Sequence, residues 1–577
     1  MNKNSNSRQS TGRPARPDPA RPAGSRPAER GDARPRRSVA AFRIEQVQRV
    51  LGEVLQWTSP ADAVLSHWLR ANPALGGRDR AELAEGVYDV VRNLRHYRQL
   101  AESGVGNATR RLAILGLAAT RGVEWLKDAL DPGEADWVAR VDQVDPSALP
   151  RAVRYSLPDW LEERLGKLPQ PESLMQSLQQ PAQLDVRSNP LKIERDALLA
   201  KLREGPAGRY DPQPMRYSPW GIRFKGHPPI NRWPEFESGQ VEVQDEGSQL
   251  LALLVGPRRS EMIIDFCAGA GGKALLLGAL MRSTGRLYAF DVSAARLAKA
   301  KPRFARSGLS NVVPVAIDSE NDSRVKRLAG KAQRVLVDAP CTGIGTLRRN
   351  PDLKWRQQPQ SLGELCELQY RILKSAARCV APGGRLVYAT CSLLPEENGD
   401  QADRFLAEHP DFERLDAAAL LHNRCDNLEL EGPYVQLRPD LHGTDGFFAA
   451  VFERKKAVRH TAEAKQEAVE PAATEHVPPP TRFRLSKRSR IKGSRQDHDV
   501  RASGFGGAVA CLITHGPGDG ITARFVGLVD DLGYWRGDIT TPAAATRIAL
   551  AANDGGRPQC GRLRQLQARS GQRQATS

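Results

Sequence analysis

The sequence predicts an α/β fold built on a doubly wound, mostly parallel sheet, preceded by an all-helical unit and a small α+β module. Three observations predict it. Between residues 246 and 455, short apolar runs that read as strands alternate with helical stripes, the pattern of right-handed strand–helix–strand units. A glycine-rich turn, Asp265-Phe266-Cys267-Ala268-Gly269-Ala270-Gly271-Gly272-Lys273, follows the first of these strands and opens a helix. Two cysteines, Cys341 and Cys391, each follow an apolar run where a buried strand should stop, and in such sheets chemistry collects at the carboxyl ends of the strands. Together these features suggest a nucleophilic-cysteine enzyme with a nucleotide-like cofactor. At 577 residues the chain exceeds what one core absorbs, so roughly two to four units are expected.

Residues 1–40 are Arg, Pro, Ser, Gly and Ala with almost no large apolar side chains. Such a basic tail cannot offset its chain entropy and should be disordered; its arginines offer non-specific RNA affinity through counterion release. Residues 41–148 read as all-helical. Ile44, Val47, Val50, Leu51, Val54 and Leu55, then Leu83, Val87, Val90, Val91 and Leu94, recur at helical spacing, with breaks at Asn72-Pro73, Gly76-Gly77 and Asp131-Pro132-Gly133. Arg78, Arg80, Arg92, Arg95, Arg110 and Arg111 make the unit basic, although a solvated helix face explains any one of them more simply.

Residues 149–245 form the small module. Leu184-Asp185-Val186-Arg187 alternates like a strand, Arg195 to Leu202 reads as a helix, and Gly221-Ile222-Arg223-Phe224 as a second strand. Within 246–455 the strand candidates are Met262 to Asp265, Leu287 to Asp291, Val312 to Ile317, Val335 to Asp338, Arg385 to Ala389, and a late strand over Gly446 to Phe452. Leu362, Leu365, Leu368, Ile372, Leu373 and Ala376 make a helical stripe between the cysteines, ending at Pro382-Gly383-Gly384. From 456 to 577 the composition turns to Lys, Arg, Glu, Ala and Pro, Val477-Pro478-Pro479-Pro480 marks a linker, and no periodicity follows residue 500. A linker and a disordered tail are expected there.

A net charge of +18 fits a polyanionic partner; two basic tails on an ordinary enzyme would also produce it. The eight cysteines show no C-x-x-C spacing. They read as reduced thiols rather than a disulfide framework, and no metal site is expected. No apolar run approaches the roughly 18 residues of a membrane span, and the Arg- and Pro-rich start is no secretory signal. A monomeric cytoplasmic protein, off the membrane, follows by default.

The glycine turn lacks the G-x-G-x-x-G pattern, which disfavours hydride transfer. Its glycines admit a ligand close to the backbone, and the helix behind it offers free N–H groups. Asp291 ends the second strand, 26 residues after Asp265, where an acid accepts hydrogen bonds from ribose hydroxyls. Asp318, ending the third strand, suits the adenine amino edge. Each aspartate alone could be a helix cap, but four acids at successive strand ends, Asp265, Asp291, Asp318 and Asp338, exceed what capping explains. Cys366, Cys379 and Cys425 read as small buried hydrophobes, and Cys267 as lining the cofactor loop. Cys341 and Cys391 open polar loops on what should be adjacent strands.

These residues resemble the RsmB/Nop/Sun family of S-adenosylmethionine-dependent RNA cytosine-5 methyltransferases. Asp265 to Lys273 resembles the family's D-x-C-A-A-P-G-G-K, with Gly269 and Ala270 in place of Ala-Pro. That change loosens the loop but removes no polar ligand. Asp338-Ala339-Pro340-Cys341-Thr342-Gly343, continuing to Arg348-Arg349-Asn350-Pro351-Asp352, is similar to the signature D-A-P-C-S/T-G-x-G-x-x-R-R-x-P-D. Thr390-Cys391-Ser392 with Pro395-Glu396-Glu397-Asn398 is similar to T-C-S…P-x-E-N, and Val243 to Gln249 resembles the segment that leads into the domain. The resemblance covers about 210 residues and implies a Rossmann-like class I methyltransferase domain. More loosely, Leu75 to Ala81 resembles the NusB-like RNA-binding domain of the bacterial 16S ribosomal RNA branch, and Val186 to Lys192 its small RNA-binding module.

The resemblance implies S-adenosylmethionine held by Cys267, Ala268, Gly269, Ala270, Gly271, Gly272, Lys273, Asp291, Asp318 and Asp338. It implies RNA, most plausibly 16S ribosomal RNA, as partner. C5 of cytosine is a poor nucleophile, and a thiolate adding at C6 makes it enamine-like. The family pattern assigns that attack to Cys391, product release to Cys341, and the N3/N4 edge of the base to Asp338. Lys273 supports the site or merely ends the turn. Three alternatives stay open: another RNA such as tRNA; DNA methylation, with Cys341 attacking; and an idle RNA-binding assembly factor. The Thr-Cys-Ser element and the helical unit speak against DNA, and retention of both cysteines and Asp338 speaks against idleness.

Overall fold

A computed structural model describes residues 38–456, except His227, Asn423 and Asp426, together with 509–515, 521–528 and 547–549. The expectations for residues 1–37 and for most of 457–577 lie outside the described residues.

Helices Val39–Val54, Ala61–Ala71, Gly77–Arg92, Leu94–Ala101, Ala108–Arg121 and Pro132–Val141 open the described chain. The first begins at Val39, inside the segment assigned to the tail, because Ser38 caps it: its hydroxyl accepts from the Ala41 N–H at 3.1 Å. Ile44, Val47, Val50, Leu51, Leu83, Val87, Val90 and Leu94 share one core with Leu112, Ile114, Leu117 and Trp137, as their spacing dictates. The six arginines that make the unit basic all bond within the fold. Arg110 forks onto Glu134, Arg95 reaches Leu157 O and Asp159, and Arg78 pairs with Glu82. Arg80 reaches Leu75 O, Arg111 reaches Gly106 O, and Arg92 is buried. Carbonyls left free at helix ends and turns attract guanidinium donors.

The end of helix Gly77–Arg92 docks on the stretch that follows Cys341. Val91 O accepts from Trp355 Nε1 at 2.8 Å and Arg92 O from Lys354 Nζ at 2.6 Å. Arg92 in turn donates to Leu347 O and Arg348 O, and the Ala61 N–H to Asp352. Lys354 is buried. Desolvation first, and Arg92 second, push its ammonium well below the usual lysine range. Its counter-charge is the negative end of a helix rather than a carboxylate.

Strands β1 (Leu184–Ser188), β2 (Gln213–Pro214), β3 (Gly221–Phe224) and β4 (Val241–Val243) form an antiparallel sheet in the order β2-β3-β1-β4. Leu198, Leu199 and Leu202 of helix Arg195–Glu204 pack on Val186, Ile222 and Phe224.

The main sheet contains β5 (Met262–Asp265), β6 (Arg286–Asp291), β7 (Val312–Ala316), β8 (Ala332–Asp338), β9 (Val380–Thr390), β10 (Phe412–Leu415), β11 (Val435–Leu437) and β12 (Phe447–Arg454). Its order is β10-β12-β9-β8-β5-β6-β7, with β11 on β12. β7, β6, β5, β8 and β9 are parallel, and β12 is antiparallel to β9. Strand order reverses beside β5, a switch point whose carboxyl end is a crevice. Two cores cover the two faces, one around Leu275, Leu336 and Val387, the other around Phe266, Phe290, Val337 and Tyr388. The helix between the cysteines, Pro359–Cys379, stops before Pro382-Gly383-Gly384. Those residues fall inside β9 instead, where the register with β8 shifts between Ala332 and Arg334, an irregularity that glycines permit.

In the second compact unit, β13 (Val509–His515), β14 (Ile521–Leu528) and β15 (Arg547–Ala549) make an antiparallel sheet ordered β14-β13-β15. The expected disorder does not hold for these residues. β-branched density in Ile513-Thr514 and Ile521-Thr522 carries strand propensity where no alternation is visible. Among the described residues no helix is long and apolar enough to cross a membrane, and no cluster of His, Cys, Asp or Glu could hold a metal.

Candidate active site

β8 and β9 run side by side with Asp338 opposite Ala389. The Ala339 N–H extends the ladder to Ala389 O at 2.8 Å. Both chains then leave the sheet together, and Cys341 Sγ lies 3.4 Å from Cys391 Sγ. That is a hydrogen-bonded contact, well beyond the roughly 2.05 Å of a disulfide. The hydrogen bond to Cys391, and then burial, push the Cys341 thiol well above its usual range. Either sulfur can donate in this contact, so one proton can be shared between the two thiols.

A buried polar cluster beneath the sulfurs fixes both turns. Glu397 is fully buried; it accepts from the Thr342 N–H at 2.8 Å, the Thr342 hydroxyl at 2.5 Å and Gln369 Nε2 at 2.9 Å. Gln369 also donates to Pro340 O. Asn398 accepts from the Thr390 hydroxyl and donates to Ser392 O. The second signature is thus a clamp that reaches across to the first. Behind it two backbones touch. The Gly345 N–H donates to Cys391 O at 2.9 Å and the Gly446 N–H to Gly345 O at 2.8 Å, and a Cβ on Gly345 would lie 2.2 Å from Gly446 O.

Beside the cysteines Lys273 Nζ meets Asp338 Oδ2 at 2.7 Å. Desolvation works against the lysine's charge, but Asp338 and then Cys391 outweigh it and raise its pKa, so it stays cationic. Asp265 lies close by, buried, with neither carboxylate oxygen in a well-formed hydrogen bond. Burial, then the charge of Asp338, lift its pKa to about 7.

The glycine turn crosses this end of the sheet. Gly269 and Gly271 have φ of +56° and +83°, and a Cβ on Gly271 would meet Phe304 Cζ at 2.7 Å, so only glycine fits there. Nothing lies within 4 Å of where a Cβ of Gly269 or Gly272 would stand, which leaves a cradle open to a ligand. Asp291 is buried; it accepts from the Gly269 N–H at 2.8 Å and the Ser293 N–H at 2.7 Å and pairs with Arg296. Cys267 is half-buried against the core, its pKa raised by burial first and the nearby aspartates second.

Asp338, Lys273, Cys341 and Cys391 meet at one point, and the loop with Asp291 adjoins it. Asp318 lies one residue past the ladder, the Ile317 N–H donating to Asp291 O at 3.0 Å. β7 ends at Ala316, and the Asp318 side chain is 96% exposed, 3.5 Å from Arg324. Two contributors escaped the sequence reading. Val292, 61% exposed beside Asp291, is an apolar side chain open to solvent at the end of the second strand, signalled by that position alone. Glu397 belongs to the second signature, but its partners Thr342 and Gln369 are distant in sequence.

A parallel sheet in this order, with a glycine loop after its first strand and an acid ending the second, defines a Rossmann-like methyltransferase fold. Residues 252–453 match the family model described as 16S rRNA methyltransferase RsmB/F. A probable ribosomal RNA small subunit methyltransferase B of Synechocystis is 32% identical over 438 residues, 70% of this chain and 97% of that one. The ribosomal RNA small subunit methyltransferase B of Sodalis glossinidius is 37% identical over 302 residues, 52% of this chain and 66% of that one. The crystal structure of PH0851 matches with a TM-score of 0.58 at 26% identity, over 72% of this chain and 98% of that one. The chain belongs to the RsmB/F family of 16S rRNA methyltransferases. Its cofactor is S-adenosylmethionine, and its reaction belongs to the class of ribosomal RNA methylation.

Proposed function

We propose that this protein methylates C5 of a cytosine in 16S ribosomal RNA through a covalent bond between Cys391 and C6 of the base. The observation that carries this reading is the pair of thiols 3.4 Å apart at the ends of adjacent parallel strands, beside the Lys273–Asp338 ion pair. The glycine cradle and Asp291, with the buried carboxyl of Asp265 beside them, suit a ligand with hydroxyls. Residues 267–273 with Asp291 would hold S-adenosylmethionine, with Asp318 and Val292 toward its adenine and Asp338 at its reactive end. When bound, the cofactor supplies an electrophilic methyl group.

The remaining chemistry belongs to the protein. Cys391 adds to C6 as a thiolate, which makes C5 nucleophilic. Asp338 meets the N3/N4 edge and stabilises the adduct. Lys273 keeps its charge and complements the negative sulfur. Cys341, in contact with Cys391, acts afterwards, when a base takes the C5 proton, the C5–C6 double bond re-forms and the Cys391 thiolate is expelled. The base must leave its stack to reach this point, and the helical unit and the small module would grip the surrounding RNA.

The test is a denaturing gel with labelled RNA. Cys391→Ala should give neither methylation nor adduct, and Cys341→Ala should accumulate a denaturation-resistant adduct. An adduct from Cys391→Ala alone would reverse the two roles, and none from either would leave release by Cys341 without support.

A further inference from the structure

The small antiparallel sheet is tied to the glycine loop through one helix, and the tie falls where the loop departs from the family pattern. Gly269-Ala270 stands where that pattern has Ala-Pro; a proline ring fixes φ, whereas glycine frees the backbone. The restraint comes instead from Arg303. Its Nη1 donates to Ala270 O at 2.6 Å, while its Nε and Nη2 donate to Glu242 Oε1 at 3.2 and 3.0 Å. Glu242 lies in β4, and its other oxygen accepts from Arg306 at 2.7 Å. Both arginines sit on helix Ala294–Ser307. The small module anchors the end of that helix by donating to carbonyls that lack an intrahelical partner: Asn189 Nδ2 to Ser307 O at 2.9 Å and Lys192 Nζ to Arg306 O at 2.6 Å.

We propose that Arg303, braced by Glu242 of the small module, is a positioning residue for the cofactor loop and supplies the rigidity that a proline at 270 would otherwise give. The loop then meets its ligand already ordered, which spares ordering entropy on binding. The module read as RNA-binding thereby also sets cofactor affinity. This rests on reading residues 267–273 as the S-adenosylmethionine loop.

The test is calorimetry of S-adenosylmethionine on the full chain. Arg303→Met should raise Kd about three- to tenfold, and Glu242→Gln about two- to fivefold, each less than loss of a direct charged contact. Glu242→Gln keeps the side chain's shape and carries the test if Arg303→Met does not fold. The deciding variant adds Ala270→Pro to Arg303→Met. Among the described residues the Ala270 N–H donates no hydrogen bond, and glycine at 269 has no Cβ to clash with the ring. Proline should bring Kd back to within about twofold of the wild type, which a generally structural arginine would not allow. An unchanged Kd in both single variants, or a rise that proline does not reverse, overturns the proposal. A wild type that fails to bind the cofactor overturns the reading of the loop and the proposal with it.

Discussion

Replacing Asp265 by asparagine should stabilise the protein, increasingly so as pH rises. The carboxyl is buried without a well-formed partner, and its pKa stands at about 7 against an ordinary 3.8. Below about pH 4 it is protonated in both the native and the unfolded chain. From there to pH 7 the unfolded chain ionises freely while the native carboxyl keeps its proton, so native stability falls as pH rises. A difference of about three units corresponds to about 4 kcal/mol at pH 8, and to about 2 kcal/mol at pH 5, where the unfolded chain is only part-way through that span. Asparagine is close in shape and never ionises. Its amide brings a fixed cost of its own, so the informative quantity is the change with pH. Urea unfolding of wild type and Asp265→Asn at pH 5 and pH 8 should show the gap widening by about 2–3 kcal/mol in favour of the variant. A gap that stays constant would mean that Asp265 is ionised in the native protein and that burial does not govern it.

Glu397→Gln should place an amide N–H₂ against donors from Thr342 and Gln369, costing about 2 kcal/mol; the drop should appear in urea unfolding together with a loss of methyl transfer. Gly345→Ala would drive a Cβ to 2.2 Å from Gly446 O and 2.8 Å from Cys391 O. Overpacking of about 1–3 kcal/mol should displace Cys391, and methyl transfer should fall at least tenfold while calorimetry finds cofactor affinity close to wild type.

The sequence exposes what is periodic or local. The runs before Cys341 and Cys391 each end at a polar break, and that sufficed to put both cysteines at strand ends. Glycines at 269 and 271 announced a turn, and at 271 no other residue fits. Contacts across the fold were hidden. Glu397 and Thr342 are 55 residues apart, and nothing in either stretch names the other. The arginines of the helical unit show the same limit from the opposite side: their count makes the unit basic, but nothing in their spacing names the carbonyl or acid that each guanidinium meets. Asp318 looked like its neighbours at the strand ends, but what sets it apart is burial: Asp265 and Asp291 are buried, whereas the Asp318 side chain is exposed.

The docking of Lys354 bears on how this protein can be divided. A fragment beginning after residue 150 would keep the whole parallel sheet and both thiols. It would lose Val91 O and Arg92 O, the acceptors for Trp355 and Lys354. An ammonium shaped for the end of a helix would then have to find water, and an indole would lose the wall it leans on, both within fifteen residues of Cys341. The N-terminal helices are therefore a poor candidate for exchange. A chimera carrying a different RNA-gripping domain would have to present its own helix terminus to the same lysine.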